Sequence, residues 1–385
     1  MPKEQPGSAP RAEVGMALGD VPTPALVIDL DRMDRNLASW QSFVQSHGKR
    51  FRPHIKTHKT PEIAHLQESL GACGIAAAKP SEAEVFYDSG CRDIVVAYPS
   101  VGADKWAHIA RMARDARVAT NVDSELQARG LSTAAVEAGV TIGTQIEIDT
   151  GMNRVGLAPT AYGEIAAFAK VLRSLPGIRF EGITTHRGKF DARLAKMTND
   201  EAGREEGQIL VDLAERLRAD GIPVAEVTAG GTITGRGVAG VDGITEVRAG
   251  TYVFYDAMQV AFGAAEPDEV AISIVATVVS TRRSGWATVD AGSKTFSGDR
   301  AVVGVAMPGG DAVASAVEID ASVMRITEEH GMVALGDGVA VEVGQRLRFT
   351  PFHVCTAVNL SNELVAVRNG VVEQVWPVQA RGSRT

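Results

Sequence analysis

Asp93-Ile-Val-Val-Ala97 is a short apolar run with a β-branched centre, and the segment that follows from Ala103 carries its apolar residues at helical spacing. The same strand-then-helix unit recurs on both sides of it. Toward the N-terminus, Gly74-Ile-Ala-Ala77 precedes a helix from Ser81, and Ala25-Leu-Val-Ile-Asp29 precedes a helical stretch from Leu30 to His47 that ends at a glycine. Toward the C-terminus, Val118-Ala-Thr-Asn121 leads into a helix from Asp123 and Gln145-Ile-Glu-Ile148 into one from Thr160. Ile183-Thr-Thr-His186 is followed by a long charged helix from about Asp200 to Asp220, and Glu226-Val-Thr-Ala229 continues the series. Seven or eight such units with short connections imply parallel strands with helices outside, hence a (β/α)8 barrel rather than an open sheet.

After about Val270 the pattern changes. Ala271 to Ser280, Trp286 to Asp290, Val339-Ala-Val-Glu-Val343, Arg346-Leu-Arg-Phe349 and Leu364-Val-Ala-Val367 read as strands at short intervals with Gly, Pro and Asp at the turns. An antiparallel β domain is expected there. The division read from the sequence is a Pro-, Gly- and Ala-rich arm over 1–22, flexible or an edge segment of the second domain, then a barrel over 23–268 and the β domain over 269–385.

The bulk properties exclude several classes. No apolar run in the 385 residues approaches the roughly 20 needed to span a bilayer. The net charge of −8 and the dispersed Lys and Arg give no attraction for nucleic acid. Cys73, Cys91 and Cys355 are odd in number and widely spaced, which fits a reducing, cytoplasmic compartment rather than a disulfide framework. The first twenty residues lack the apolar core of a signal peptide.

In a barrel, reactive groups project from the C-terminal ends of the strands. Arg52-Pro-His-Ile-Lys-Thr-His-Lys59 falls at such an end. A lysine there can be desolvated and its pKa lowered, as a nucleophilic amine requires, although a Lys pair by itself is usually a solvated loop feature. Pro351-Phe-His-Val-Cys355 sets a histidine and a cysteine two apart, which on a strand would put both on one face. Imidazole with thiolate suits zinc; a buried cysteine beside a structural histidine is the plainer alternative.

Those segments, together with Thr23-Pro-Ala-Leu-Val-Ile-Asp29, Lys79-Pro-Ser-Glu-Ala-Glu84, Glu147-Ile-Asp-Thr-Gly-Met-Asn-Arg-Val-Gly156, Ala229-Gly-Gly-Thr232 and Glu246-Val-Arg-Ala-Gly-Thr-Tyr252, occur in a familiar order. From about Thr23 to Gly382 the chain resembles the fold-type III pyridoxal-phosphate (PLP) enzymes, in the branch of the D-threonine aldolases, D-serine dehydratases and D-threo-3-hydroxyaspartate dehydratases, with alanine racemase more distant. The resemblance implies a PLP- and divalent-metal-dependent lyase acting on a small β-hydroxy-D-amino acid, and a homodimer.

By the same resemblance Lys56 is the Schiff-base lysine and Arg154 faces the cofactor's phenolic oxygen. Gly230, Gly231 and Thr232 cradle the phosphate with Gly250 and Tyr252, although Tyr252 can equally be a packed aromatic. Arg248 contacts the pyridine nitrogen, where a guanidinium cannot accept a proton and the ring nitrogen would stay unprotonated. His353 and Cys355 hold the metal, zinc first and manganese or magnesium as alternatives. His186 either touches substrate or packs at the strand end.

The resemblance leaves the reaction open between two chemistries. The His-x-Cys pair, and the lack of a second histidine in Thr185-His-Arg-Gly-Lys-Phe-Asp191, favour dehydration to ammonia and a 2-oxo acid over retro-aldol cleavage to glycine and an aldehyde. An amino-acid racemase and a non-catalytic PLP-binding protein stand further back. Arg187 and Arg236 are candidates to meet a second substrate carboxylate.

Overall fold

The computed structural model describes residues 11–188, 193–299 and 312–385. Two sheets organise the described residues. The first is parallel throughout and contains β2 (Arg50–Phe51), β3 (Ile75–Ala77), β4 (Asp93–Val96), β5 (Arg117–Val122), β6 (Ile142–Glu147), β7 (Ile178–Thr184), β8 (Glu226–Ala229) and β9 (Glu246–Val247), in the order β2-β9-β8-β7-β6-β5-β4-β3. A parallel bridge between His54 and Ala76 joins its two edges, so the sheet closes into the expected barrel with helices outside. Closure removes the exposed strand edges that an open sheet would leave unpaired.

The strand read as the first of the barrel belongs elsewhere. β1 (Ala25–Asp29) pairs antiparallel with β10 (Ile272–Ser280) and parallel with β16 (Glu363–Arg368), in the second sheet. Leu26, Val27 and Ile28 are all buried there, so both faces of the strand are covered. The helix Leu30–Ser46 then crosses back, and buries Met33, Leu37, Trp40 and Val44 against the barrel. The remaining two of the eight barrel strands are instead supplied by β2 and β9, each only two residues long.

The second sheet has nine strands, in the order β11-β14-β13-β12-β15-β10-β1-β16-β17, with β11 also pairing to β10. Its further strands are β11 (Trp286–Val289), β12 (Ala314–Ala316), β13 (Ala321–Ile326), β14 (Gly331–Leu335), β15 (Arg346–Pro351) and β17 (Val371–Pro377). Apart from β1 with β16, every pairing is antiparallel. The run Val339–Val343 is not a strand but the loop before β15; its alternation is not matched by burial, since Val343 is 64% exposed. Residues 11–22 are not free in solution either: Gly15 donates to the carbonyl of Val372, Ala17 bridges Val371, and Val21 is buried.

The barrel floor is closed by charge. Arg52, fully buried at the start of the barrel, bonds Glu246 at 2.9 Å and Asp93 at 2.8 Å; Arg117 joins Asp93 to Glu181, and Arg50 reaches Glu226. Parallel strands start together at this end, so side chains from six strands meet and can neutralise one another. Breaking a buried pair leaves one partner charged and unsolvated, at a cost of about 3–5 kcal/mol. Glu246→Gln is therefore expected to lower the unfolding free energy, measured by denaturant titration, by that order, while Arg50→Gln, whose side chain is 44% exposed, costs under about 1 kcal/mol. Equal shifts in the two variants would refute this view of the floor.

Candidate functional site

The other end of the barrel opens into a cavity of 820 Å³ whose wall is made almost entirely by residues just past the strand ends. Lys56 follows β2, Lys79 follows β3, Tyr98 follows β4, and Asn121 and Glu147 end β5 and β6. His186 follows β7, Gly230, Gly231 and Thr232 follow β8, and Arg248 and Gly250 follow β9. Arg154 comes from the loop after β6. The second domain contributes Asp299, Phe352, His353 and Cys355. Of the site residues singled out from the sequence, all but Tyr252, Arg187 and Arg236 line this one cavity.

Lys56 lies in the wall without an ion-pair partner among the described residues. Burial lowers its pKa, the nearby Cys355 opposes that, and Arg154 and Arg248 reinforce it. The neighbouring Lys59 has a different setting: its ammonium is buried against Glu82 at 2.6 Å and donates to the Ala380 carbonyl. His186 has its Nδ1 3.5 Å from the Gly230 carbonyl, and burial together with Lys56 lowers its pKa to about 3. His54 is likewise held well below its ordinary value, by burial and then by Lys56. Both imidazoles are therefore neutral at pH 7 and poor proton acceptors.

The fit to PLP can be tested on atoms that lack partners. Arg248 donates to Thr184 through Nη2, but its Nη1 is buried and unpartnered. A buried guanidinium nitrogen left open costs free energy unless a ligand atom fills it, and a pyridine nitrogen would do so. The amides of Gly231, Thr232 and Gly250 have no hydrogen-bond partner among the described residues. A Cβ on Gly231 would lie 2.7 Å from the His186 ring and one on Gly250 2.9 Å from the His54 carbonyl, so only glycine allows the bare backbone that could receive a phosphate. The amide of Gly230 is already used, by Glu206 at 3.2 Å. These residues fit the cofactor.

Of the two readings given for Tyr252, its side chain takes that of the packed aromatic. Its ring turns into the core against Trp40 and Phe51, and its hydroxyl accepts a hydrogen bond from Gln67. Its backbone amide donates to Thr232 Oγ1, which fixes the cradle from behind. Arg187 and Arg236 also lie off the cavity, the first paired with Glu205 at 2.6 Å and the second stacked over Trp40 and Phe43.

The metal pair meets, though not as the spacing suggested. His353 is the extended residue that caps the helix Val354–Leu360, and Cys355 lies in that helix's first turn. Asp299 Oδ2 is 2.7 Å from His353 Nδ1, which leaves Nε2 for the cavity. Thr57 Oγ1 is 3.3 Å from the Cys355 sulfur. Burial raises the Cys355 pKa, but the His353 imidazole and Lys56 outweigh it and the thiol is held below its ordinary value. Thiolate, imidazole and an orienting carboxylate suit a borderline-soft divalent ion.

Three wall residues escaped the sequence reading. Glu147 is buried, accepts from Asn121, and is pushed up to about 7 by burial against the pull of Arg248 and Arg154. Lys79 holds its ammonium 3.4 Å from the centre of the Tyr98 ring. Both lie inside motifs already quoted, at strand ends, where a systematic reading of every polar strand-end residue would have found them. Asp299 follows Ser297-Gly298 and resembles an ordinary turn, so no local signal marks it.

Comparison with known proteins agrees with this geometry. Residues 28–257 match the family "Alanine racemase, N-terminal domain" and residues 271–367 match "Putative serine dehydratase domain". The chain is 35% identical over 382 residues to a D-threonine aldolase of Arthrobacter sp., covering 97% of this chain and 96% of that one. It is 34% identical over 348 residues to D-threo-3-hydroxyaspartate dehydratase of Delftia sp., covering 86% and 90%. The crystal structure of D-threonine aldolase from Filomicrobium marinum superposes with a TM-score of 0.85 at 31% identity, over 98% of this chain and 100% of that one. The chain belongs to the fold-type III PLP enzymes, in the lyase branch that joins an alanine racemase N-terminal domain to a serine dehydratase-like domain.

Proposed function

We propose that this lyase dehydrates a small β-hydroxy-D-amino acid to ammonia and a 2-oxo acid, with Lys56 as both the cofactor-binding lysine and the base that takes the α-proton. The observation that carries the reading is the placement of Lys56 and the His353–Cys355 pair on one cavity, where the two histidines outside that pair, His54 and His186, are held below their ordinary values, chiefly by burial. Retro-aldol cleavage needs a base at the β-hydroxyl; dehydration needs one at Cα and a way to release hydroxide.

When bound, PLP supplies an electron sink and the metal a Lewis acid for the β-oxygen. Arg248 Nη1 would hold the ring nitrogen, Arg154 the phenolic oxygen, and Gly231, Thr232 and Gly250 the phosphate. His353 Nε2 and the Cys355 sulfur would hold the metal, with Asp299 fixing the imidazole. Burial, reinforced by Arg154 and Arg248, lowers the Lys56 pKa and so favours the neutral amine that would take the α-proton. Neutral His186 positions substrate, and Lys79 is the cation at the wall free to meet a second carboxylate.

Zinc suits the imidazole–thiolate donor set best. A Cys-to-Ala mutant of the D-threo-3-hydroxyaspartate dehydratase has been solved in a metal-free form, which supports metal dependence here. The unpaired cysteines support a cytoplasmic setting, and no helix among the described residues is long and apolar enough to cross a membrane. A homodimer and a small D-amino-acid substrate complete the reading, with no nucleic-acid or membrane partner.

The second reading is retro-aldol cleavage, favoured by the match to a D-threonine aldolase along 97% of the chain. D-Threonine, D-serine and D-threo-3-hydroxyaspartate, each incubated with protein, PLP and zinc or manganese, distinguish the two. Ammonia with 2-oxo acid, lost on adding EDTA and restored by metal, is the expected result. Glycine with an aldehyde would replace the first reading by the second.

A further inference from the structure

On the outer wall of the barrel, away from the cavity, three metal-ligating side chains of different kinds converge. The helix Pro61–Ser69 carries His65 and Glu68 at i and i+3, on one face, with His65 Nδ1 3.3 Å from Glu68 Oε2. Cys91 enters from the turn between the helix Pro80–Asp88 and β4, and its sulfur lies 3.7 Å from the same Glu68 oxygen. All three ligand atoms fall within 4.8 Å of one another. Cys91 is 1% exposed, whereas the His65 and Glu68 side chains are 44% and 28% exposed. The arrangement is a fixed sulfur at the base with two movable arms open to solvent.

The local charges leave room for a cation. Arg92, next to Cys91 in sequence, turns its guanidinium over the Tyr87 ring and toward Asp115, and so does not pair with Glu68. The thiol thus faces a carboxylate and an apolar surround, a setting in which burial and then Glu68 raise its pKa to about 12. A divalent ion reverses that balance, because a coordinated thiol is deprotonated outright.

We propose that His65 Nδ1, one Glu68 oxygen and the Cys91 sulfur form a second divalent-metal site, suited to zinc and distinct from the His353–Cys355 pair. With Zn–S of about 2.3 Å and Zn–N of about 2.0 Å, tetrahedral ligands stand roughly 3.3–3.6 Å apart. The separations of 3.3 and 3.7 Å to Glu68 already match. The remaining span, from His65 Nδ1 to the Cys91 sulfur and no more than 4.8 Å, closes through rotation of the exposed His65 ring, water takes the fourth position, and the thiol proton is released to solvent. The ion would tie together two successive βα units, the first of which begins with the loop carrying Lys56.

The test is metal content of the PLP-loaded protein after chelator treatment, reloading with zinc and desalting. Two zinc ions per chain are expected, falling to one in His65→Ala and to one in the His353→Ala/Cys355→Ala double variant. His65 is exposed, so its loss does not threaten folding. With cobalt in place of zinc, the double variant should keep a thiolate-to-cobalt absorption band that Cys91→Ser removes. A double variant that holds no metal, or metal content unchanged by His65→Ala, would overturn the second site. Neither outcome depends on which reaction the cavity catalyses.

Discussion

Lys56→Ala is expected to give a folded protein that no longer retains PLP through dialysis and whose lyase turnover falls by about 10³-fold or more, the scale on which loss of a nucleophile or base acts. The fold should survive because Lys56 has no ion-pair partner among the described residues, and its backbone contact to His54 Nδ1 does not involve the side chain. Lys59, three residues on, should behave in the opposite way. Its ammonium is buried between Glu82 and the Ala380 carbonyl, and Glu82 also accepts from the Ala78 amide. Lys59→Ala strands a buried carboxylate, and a loss of about 3–5 kcal/mol in unfolding free energy is expected with PLP absorbance retained in the protein that remains folded. Visible absorbance after dialysis and equilibrium denaturation separate the two lysines. A Lys56→Ala protein that keeps the bound-cofactor band would remove Lys56 from the role given to it.

The second large effect is expected at Cys355. Cys355→Ala should lose the cavity metal and lower ammonia release by about 10²–10⁴-fold, while PLP absorbance stays intact, since none of the cofactor's proposed contacts involves the sulfur. The diagnostic readout is exchange of the substrate α-hydrogen with deuterated solvent. If Lys56 is the base and the metal serves only the β-oxygen, exchange continues in Cys355→Ala after dehydration has stopped. Loss of exchange together with ammonia release would mean that the metal site also supports proton removal at Cα, and the division of roles between Lys56 and the pair would fail. His353→Ala is expected to match Cys355→Ala, and Asp299→Ala to weaken metal retention about 10–100-fold by removing the acceptor that holds the imidazole.

Much of this was legible in the sequence because local chemistry repeats at fixed places. Apolar runs followed by helical periods revealed the barrel, the strand-end position marked the segment carrying Lys56, and the family resemblance supplied Arg154, His186, Gly230, Gly231, Thr232, Arg248 and Gly250, all of which line the cavity with Lys56. His353 and Cys355 were found for a reason that the structure replaces. Their side chains converge because an extended cap residue is followed by the first helical turn, not because a strand alternates. Tyr252 shows the limit of reading a motif residue by residue: its amide supports the cradle while its ring belongs to the core.

What the sequence determined by itself was the order of elements and the chemical inventory at the strand ends, since periodicity and side-chain type are local properties. Which sheet claims a strand is not local. β1 is apolar on both faces and would suit the barrel or the β domain; only its pairing with β10 and β16, segments more than two hundred residues away, puts it in the second sheet. The short β2 and β9 carry Arg50 and Glu246 at the floor, with Arg52 directly after β2, and look unlike strands, because their charges are compensated across the barrel rather than along the chain. The same holds for Asp299, which acts on an imidazole fifty-four positions away. Partners brought together by folding alone leave no pattern in the sequence, because pairing energy depends on distance in space and periodicity records only distance along the chain.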